Sequence, residues 1–415
     1  MLLSGQTVRE NGSVNPPSPP TVARSSTDGR AGTALAALVL GGVGIGVTEF
    51  VTMGLLPEIA GGIDTTIPRA GHTISAYALG VVVGAPTIAV LGNRLPRRGM
   101  LVGLMLVFAA GNALSALATG YELLMLARFV SGIPHGAFFG IASIIAFDIV
   151  AQGRGGWAVS RVMLGIPIAN VAGVPLATWL GQQAGWRSAY WLVAGIGILT
   201  AVLVATVVPH QPGDTEARVR SELAAFRDSQ VWLTLLVGSV GFGGVFAMYS
   251  YISPILRNQT GLPADAVPIY LFIYGAGGLL GTVLAGRLVD LSVLRTLVWS
   301  SVATGGSLAA FAWAADWAVP AGIALLAVSV SVSAFVLALQ LRLMEVAGRA
   351  RTLGAAGNHA ALNIANALGA WLGGIVLAAG WGWQAPSLVG AGLSAAGLLI
   401  LFLSLRVHRG RTTLD

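Results

Sequence analysis

Runs of twenty or more mostly apolar residues, separated by short polar turns, recur along nearly the whole 415-residue chain. A helix crosses about 30 Å of hydrocarbon with roughly 20 residues at 1.5 Å each. The pattern predicts twelve such spans, at 33–56, 70–91, 100–119, 121–147, 158–182, 188–208, 231–256, 267–289, 295–315, 319–341, 355–379 and 385–405. Period-two segments of about ten residues, the mark of a membrane barrel, are absent, so an all-α membrane protein is expected. Residues 1–31 are rich in Pro, Ser, Gly and Arg and lack an apolar segment. They read as a disordered tail, not a cleaved signal peptide. The expected units are this tail, a six-helix bundle at 32–208, a linker at 209–230, a second six-helix bundle at 231–406 and a tail at 407–415.

Composition agrees: 55% of residues are hydrophobic and 9% charged, against about 25% charged in soluble domains. The net charge of +7 raises the question of a nucleic-acid partner, and the placement of the charges answers it. The chain has no Lys, and 19 of its 23 Arg fall in the tails and the even-numbered connections. Arg69, Arg187 and Arg257 fall on the other side, and Arg128 lies inside a span. This asymmetry is the positive-inside pattern. It predicts cytoplasmic termini and no nucleic-acid partner. The absence of Cys removes disulfides and thiolate chemistry.

The linker at the midpoint invites a search for a repeat. Span five carries a small residue at every fourth position, Gly165, Ala169, Gly173, Ala177 and Gly181. Span eleven does the same with Gly357, Ala361, Ala365, Gly369 and Gly373. ANVAG at 169–173 aligns with ANALG at 365–369, while Gly84 and Gly92 align with Gly278 and Gly286 at a nearly equal offset. A 6+6 duplication is the economical reading. Such ladders let helix backbones approach closely in lipid. They are read either as tight packing alone or, in addition, as a rocking seam between the halves.

Several motifs now resemble a known family. GNRLPRRG (92–99) after span two and GRLVD (286–290) after span eight resemble the paired loops of the major facilitator superfamily. LMLARFVSG (124–132) is similar to its helix-4 motif. ANVAGVPLATWLGQQAGWRSAYW (169–191) resembles its helix-5 antiporter motif, in the form seen in twelve-helix drug:proton antiporters and sugar-efflux permeases. TEFVTMGLLPEIA (48–60) and SGIPHGAFFGIA (131–142) are similar to helices 1 and 4 of that branch. The resemblance covers about 33–406. It implies two pseudo-symmetric six-helix bundles around a central cavity, a monomer, a bacterial inner membrane, and gating through Gly92, Arg97, Gly99, Asp290, Gly173 and Pro175. The first loop departs from the family, with Pro96 where an Asp is usual. Asp148, at the end of span four, is then the nearest acceptor for Arg97. Simple anchoring of these Arg at the headgroups is the other reading.

Glu49 is the unexpected residue, because a charge at this depth costs a few kcal/mol. It lies eight residues, about 12 Å, inside the end of its helix at Pro57. Arg128 lies seven residues, about 10 Å, inside from Tyr121 on a helix running the other way, so the two depths match. In the family both helices line the cavity. Desolvation favours a protonated carboxylate and a nearby guanidinium the ionised one, so a changing environment would let Glu49 take up and release a proton. The readings are a proton-coupling site of Glu49, Arg128 and His135, or a static Glu49–Arg128 pair. His135 shares a face with Arg128 at i+7, either extending a proton path or serving as a packed, hydrogen-bonded His.

Further polar residues carry weaker expectations. His359 and Asn363 form an i, i+4 pair, and Asn170 and Asn366 occupy equivalent places, both suited to structural hydrogen bonds. FAMYSYISP (246–254) and Ser329, Ser331, Ser333 and Gln340 fall on helices that line the cavity in the family. Tyr249, Tyr251, Ser333 and Asn363 are the expected substrate contacts. The chain has no HExxH, GxSxG or GxxxxGK[ST] motif, so hydrolase and nucleotide-driven readings fail and no cofactor or metal is expected. The reading is a proton-coupled exporter of small drug-like molecules, with sugar or metabolite export as the alternative. A non-transporting sensor and an intramembrane enzyme are remote.

Overall fold

Hydrocarbon offers no partner to a backbone N–H or C=O, so each span must close its own hydrogen bonds as a helix. The computed structural model describes residues 26–92, 95–151, 154–212, 228–347 and 351–412. Twelve long helices follow one another: α1 Ser26–Gly54, α2 Ile67–Gly92, α3 Arg97–Leu117, α4 Tyr121–Asp148, α5 Gly155–Ala184 and α6 Trp186–Val207. The second six are α7 Ser229–Tyr249, α8 Val267–Leu291, α9 Val293–Ala314, α10 Ala318–Val346, α11 Arg351–Ala378 and α12 Ala385–Thr412. Among the described residues eleven helices are long and apolar enough to cross a membrane. The 26-residue α2 holds the remaining predicted place. An even number of crossings puts both termini at one end, called here the terminal end.

Element ends differ from the sequence reading where hydropathy falls before helicity does. α1 begins at Ser26, inside the stretch expected as a tail, and residues 1–25 lie outside the described set. α12 runs through 407 to Thr412, past the expected end of the bundle at 406, with Arg406, Arg409 and Arg411 as good helix formers in that stretch. Most of the expected linker, 213–227, lies outside the described residues.

Prolines interrupt three helices. Pro134 cannot donate to Val130, and α4 bends there, with the Ile133 N–H bonding the Val130 carbonyl at 3.3 Å instead. In α5 a π turn at Ala169–Gly173 precedes Pro175. α7 contains a π turn at Val237–Gly241 and breaks at Ser250–Tyr251 before resuming as Ile252–Asn258. Pro254 leaves the Ser250 carbonyl without its helical donor, which explains the break.

The small-residue ladders pack within each half. A Cβ on Gly165 would lie 2.7 Å from the Gly42 Cα of α1, and one on Gly173 would lie 2.5 Å from Val47 Cγ2. On α11, a Cβ on Gly369 would lie 2.7 Å from the Ala247 amide of α7, and one on Gly373 would lie 2.6 Å from its carbonyl oxygen. The duplicated pattern therefore makes the same contact twice, α5 on α1 and α11 on α7. The expected seam between halves lies on other faces: the Asn170 carbonyl carbon would be 2.6 Å from a Cβ on Gly275 of α8.

Three apolar clusters organise the core. One, including Leu38, Phe108, Phe138 and Tyr190, belongs to the first six helices, and a smaller one, including Val237, Phe335 and Leu339, to the last six. The third combines Met53, Leu56 and Ile74 of the first half with Tyr251, Leu271 and Ala370 of the second. This shared cluster closes the end opposite the termini.

Candidate functional site

Glu49 sits at mid-depth, 7% exposed, where α1 meets α2, α4 and α11. Its Oε1 accepts from Asn366 Nδ2 of the opposite half at 3.4 Å. Its Oε2 lies 4.0 Å from His135 Nδ1, and that ring nitrogen is also 3.1 Å from the Tyr77 hydroxyl. The bend at Pro134 turns α4 just before His135. The site is thus a carboxylate at the junction of both halves, touched by an amide from one and flanked by an imidazole and a phenol from the other.

Arg128 does not pair with Glu49. Its Nη1 donates to Thr48 Oγ1 at 2.8 Å and its Nη2 to the Thr48 carbonyl at 2.9 Å. The guanidinium carbon also lies 4.6 Å from the Tyr77 ring centroid and 5.3 Å from that of Tyr190. Thr48 in turn donates to Asn112 Oδ1 at 2.5 Å. Hydrogen bonds to a charged group contribute about 1.5–3 kcal/mol each and a desolvated cation–π contact up to about 2. Together they offset an insertion cost of about 2.5–3.5 kcal/mol. Depth matched, as the sequence suggested, but Thr48 and Glu49 point to different faces of α1. The guanidinium therefore reaches Thr48.

The other expected site residues separate into groups. Asn363 Nδ2 donates to the His359 carbonyl at 3.0 Å, one turn back on its own helix. The His359 ring stacks on Phe139 across the halves, with centroids 6.4 Å apart and planes within 5°. Tyr249 stacks on Tyr274 at 4.1 Å and meets the edge of Phe50 at 6.1 Å, so it belongs to an aromatic group at the junction of the halves. Tyr251 is not placed as a cavity contact: fully buried, it donates to the Ala370 carbonyl at 2.8 Å and packs against Gly71 and Gly374. Ser333 folds its hydroxyl back on the Ser329 carbonyl at 2.9 Å and lies beside Gly278 and Gly281 of α8, away from the carboxylate. Asn170 presses its backbone on Gly275, and its side-chain oxygen has no hydrogen-bond partner among the described residues.

At the terminal end, Arg97 Nη1 donates to Asp148 Oδ2 at 3.0 Å, joining the start of α3 to the end of α4. Gly92 closes α2, and a Cβ on Gly99 would meet nothing within 4 Å. Asp290 is exposed at the end of α8, without an ion pair among the described residues. Pro175 is buried directly after the π turn of α5, and Gly173 packs on α1.

Sequence reasoning missed the opposite end. There Glu58 accepts from Arg257 Nη1 at 2.6 Å, joining the first half to the second, and Gln182 Nε2 donates to the Ala264 carbonyl at 2.7 Å. The available signal was a carboxylate and one of the few Arg on the same face, without anything to pair them. Tyr77 was missed because a Tyr in an apolar span carries no charge to attract notice.

The fold is matched by comparison with known proteins. The model of the Major Facilitator Superfamily matches residues 38–359. The chain belongs to this superfamily. It is 40% identical to the inner membrane transport protein YdhP of Escherichia coli K12 over 372 residues, 90% of this chain and 96% of that one. It is 31% identical to a chloramphenicol resistance protein of Streptomyces lividans, over 86% of this chain and 92% of that one. Identity to a probable sugar efflux transporter of Helicobacter pylori is 27%, over 86% and 90%. The crystal structure of a point mutant of the nucleoside transporter NupG shares the fold with a TM-score of 0.74 at 14% identity, covering 90% of this chain and 99% of that one. The superfamily member described here is a multi-pass secondary transporter of small molecules, not an enzyme.

Proposed function

We propose that this transporter is a proton-coupled exporter of small drug-like organic molecules in a bacterial inner membrane, with both termini cytoplasmic and Glu49 as the proton-carrying group. The observation that carries the reading is the bond from Asn366 to Glu49, a buried carboxylate tied to the opposite half and not to Arg128. An ionised carboxylate holds an amide N–H more strongly than a neutral one. The protonation state of Glu49 therefore changes the bond between halves, and that bond is what alternating access must break and remake. His135 and Tyr77 supply the adjoining hydrogen-bonding groups, and Arg128 acts as a structural cation on the same helix pair.

With the positive-inside rule setting orientation, the end closed by the shared apolar cluster faces outward. Drug-like cargo is supported by the aromatic group of Phe50, Phe246, Tyr249 and Tyr274 at the junction of the halves and by similarity to the chloramphenicol resistance protein. Export of sugars or other small metabolites is the second reading, supported by the sugar efflux relative.

The test is substrate-induced proton movement in proteoliposomes. Cationic and neutral drugs are screened against pentoses, with Glu49→Gln beside wild type. Coupling in wild type that vanishes in Glu49→Gln while exchange or binding survives supports the reading. Unchanged coupling removes Glu49 from the mechanism, and ligand binding without any flux favours a sensor.

A further inference from the structure

Four residues of α11 share one face by their spacing of four, three and four: His359, Asn363, Asn366 and Ala370. Three of them touch known neighbours. His359 stacks on Phe139 of the first half, Asn366 bonds Glu49 of the first half, and Ala370 accepts from Tyr251. Asn363 lies between His359 and Asn366 and so lies on the same face of α11, the one turned to the first half.

The two amides are unusual in the same way. Asn363 is 4% exposed and Asn366 fully buried, and the Oδ1 of each lacks a hydrogen-bond donor among the described residues. Their orientation is set by what the NH2 ends touch. Asn363 Nδ2 faces a backbone carbonyl and Asn366 Nδ2 faces a carboxylate, and both of those oxygens accept. Turning the Asn363 amide over would set two acceptors against each other, and turning that of Asn366 would do the same while Glu49 is ionised. The carbonyl ends are therefore the ends left over.

We propose that this transporter selects substrates carrying several O–H or N–H donors on one face, received by Asn363 Oδ1, Asn366 Oδ1 and Glu49. The proposal deepens the functional reading above and rests on its placement of the substrate site at Glu49. A buried acceptor must find a donor, and water serves that need in an empty site. A ligand that displaces the water without bringing donors forfeits those bonds. Sites built to bond a substrate hydroxyl reject analogues lacking it far more strongly than apolar pockets reject a missing methylene. Phe139, stacked on His359 one turn from Asn363, adds an apolar wall that suits a compact organic body with the donors to one side. Donor-free lipophilic cations are excluded on the same ground.

The experiment measures equilibrium binding to the full-length protein in lipid nanodiscs without a proton gradient, using matched probes. The pairs are ethidium, with its amino N–H groups, against tetraphenylphosphonium, which has none; a nitrophenyl 1,3-diol against its di-O-methyl ether; and methyl glucopyranoside against its tetra-O-methyl ether. The expected result is that at least one donor-bearing member binds, about tenfold or more tighter than its partner, and that Asn363→Leu brings that ratio toward one. Equal or tighter binding of the donor-free members overturns the proposal, as does failure of every donor-bearing probe to bind. The wild-type comparison decides even if Asn363→Leu does not fold. Glu49→Gln keeps both amide oxygens and is expected to retain a donor preference. Loss of proton coupling as a whole would thus sink the functional reading without touching this one, and loss of the donor preference would do the reverse.

Discussion

At the scale of single residues, two charges at matching depth on α1 and α4 solve burial differently. Arg128 is held by a neutral shell of Thr48 and two aromatic rings within one half, whereas Glu49 receives one long amide bond and lies at the junction of the halves. A group whose contacts are confined to one half has little to gain when the halves move apart. One with few contacts, shared between halves, does. Thr48→Val removes the hydroxyl that serves both Arg128 and Asn112. It is expected to lower stability by about 1–3 kcal/mol, read as a drop in the thermal unfolding midpoint. The comparison variant Thr52→Val, which loses only a neutral bond to Tyr190, is expected to cost about half as much, since double-mutant cycles in membranes place such bonds near 0.6 kcal/mol. Equal losses in the two variants would show that Arg128 does not depend on Thr48.

At the scale of elements, twelve spans were legible because hydropathy over twenty residues is a direct reading of the solvent around a helix. The duplication was legible too, since the α5 and α11 ladders share their period. Which neighbour each ladder meets was not. A stripe of small residues states that something comes close without saying what, and the structure assigns α1 and α7. The π turns at 169–173 and 237–241 and the break at Tyr251 also escaped, because a proline marks a possible kink without fixing how the freed carbonyl is satisfied. The candidate site was half legible: Glu49 and His135 stand out as ionisable groups in apolar spans, whereas Tyr77 and the pairing of Asn366 with Glu49 depend on how the halves dock. Two glycine variants separate the two kinds of seam. Gly173→Leu overpacks α5 on α1 within one half and is expected to cost about 1–3 kcal/mol of stability. Gly275→Leu leaves each half intact and separates α8 from Asn170, so the expected outcome is a near-normal unfolding midpoint with transport lost. A Gly275→Leu protein that transports at the wild-type rate would show that this contact is not made during the cycle.

At the scale of the whole molecule, the halves are joined away from the terminal end by apolar packing and few polar bonds, and polar bonds so few suit a machine that must reopen. Glu58 and Arg257 form the one ion pair between halves among the described residues. With the carboxylate side chain 21% and the guanidinium 32% exposed, its contribution is that of a partly screened pair, on the order of 1 kcal/mol. A bias of that size changes the ratio of closed to open states about fivefold, enough to tune the cycle and too little to lock it. The apolar cluster of Leu56, Ile74, Tyr251 and Leu271 behind the pair supplies the rest of the closure. Because the chain contains no Cys, a single thiol introduced at Ala70, fully buried in that cluster, reports opening without background. Glu58→Gln and Arg257→Gln are each expected to speed labelling of Ala70→Cys by an impermeant maleimide up to about fivefold, and 1 M salt is expected to mimic them in the parent, where screening lengths fall to about 3 Å. The exchanged pair Glu58→Arg with Arg257→Glu restores the attraction and is expected to return labelling to the parent rate. Faster labelling in the exchanged pair than in either single variant would mean that the residues act separately and that the apolar cluster alone sets the closure.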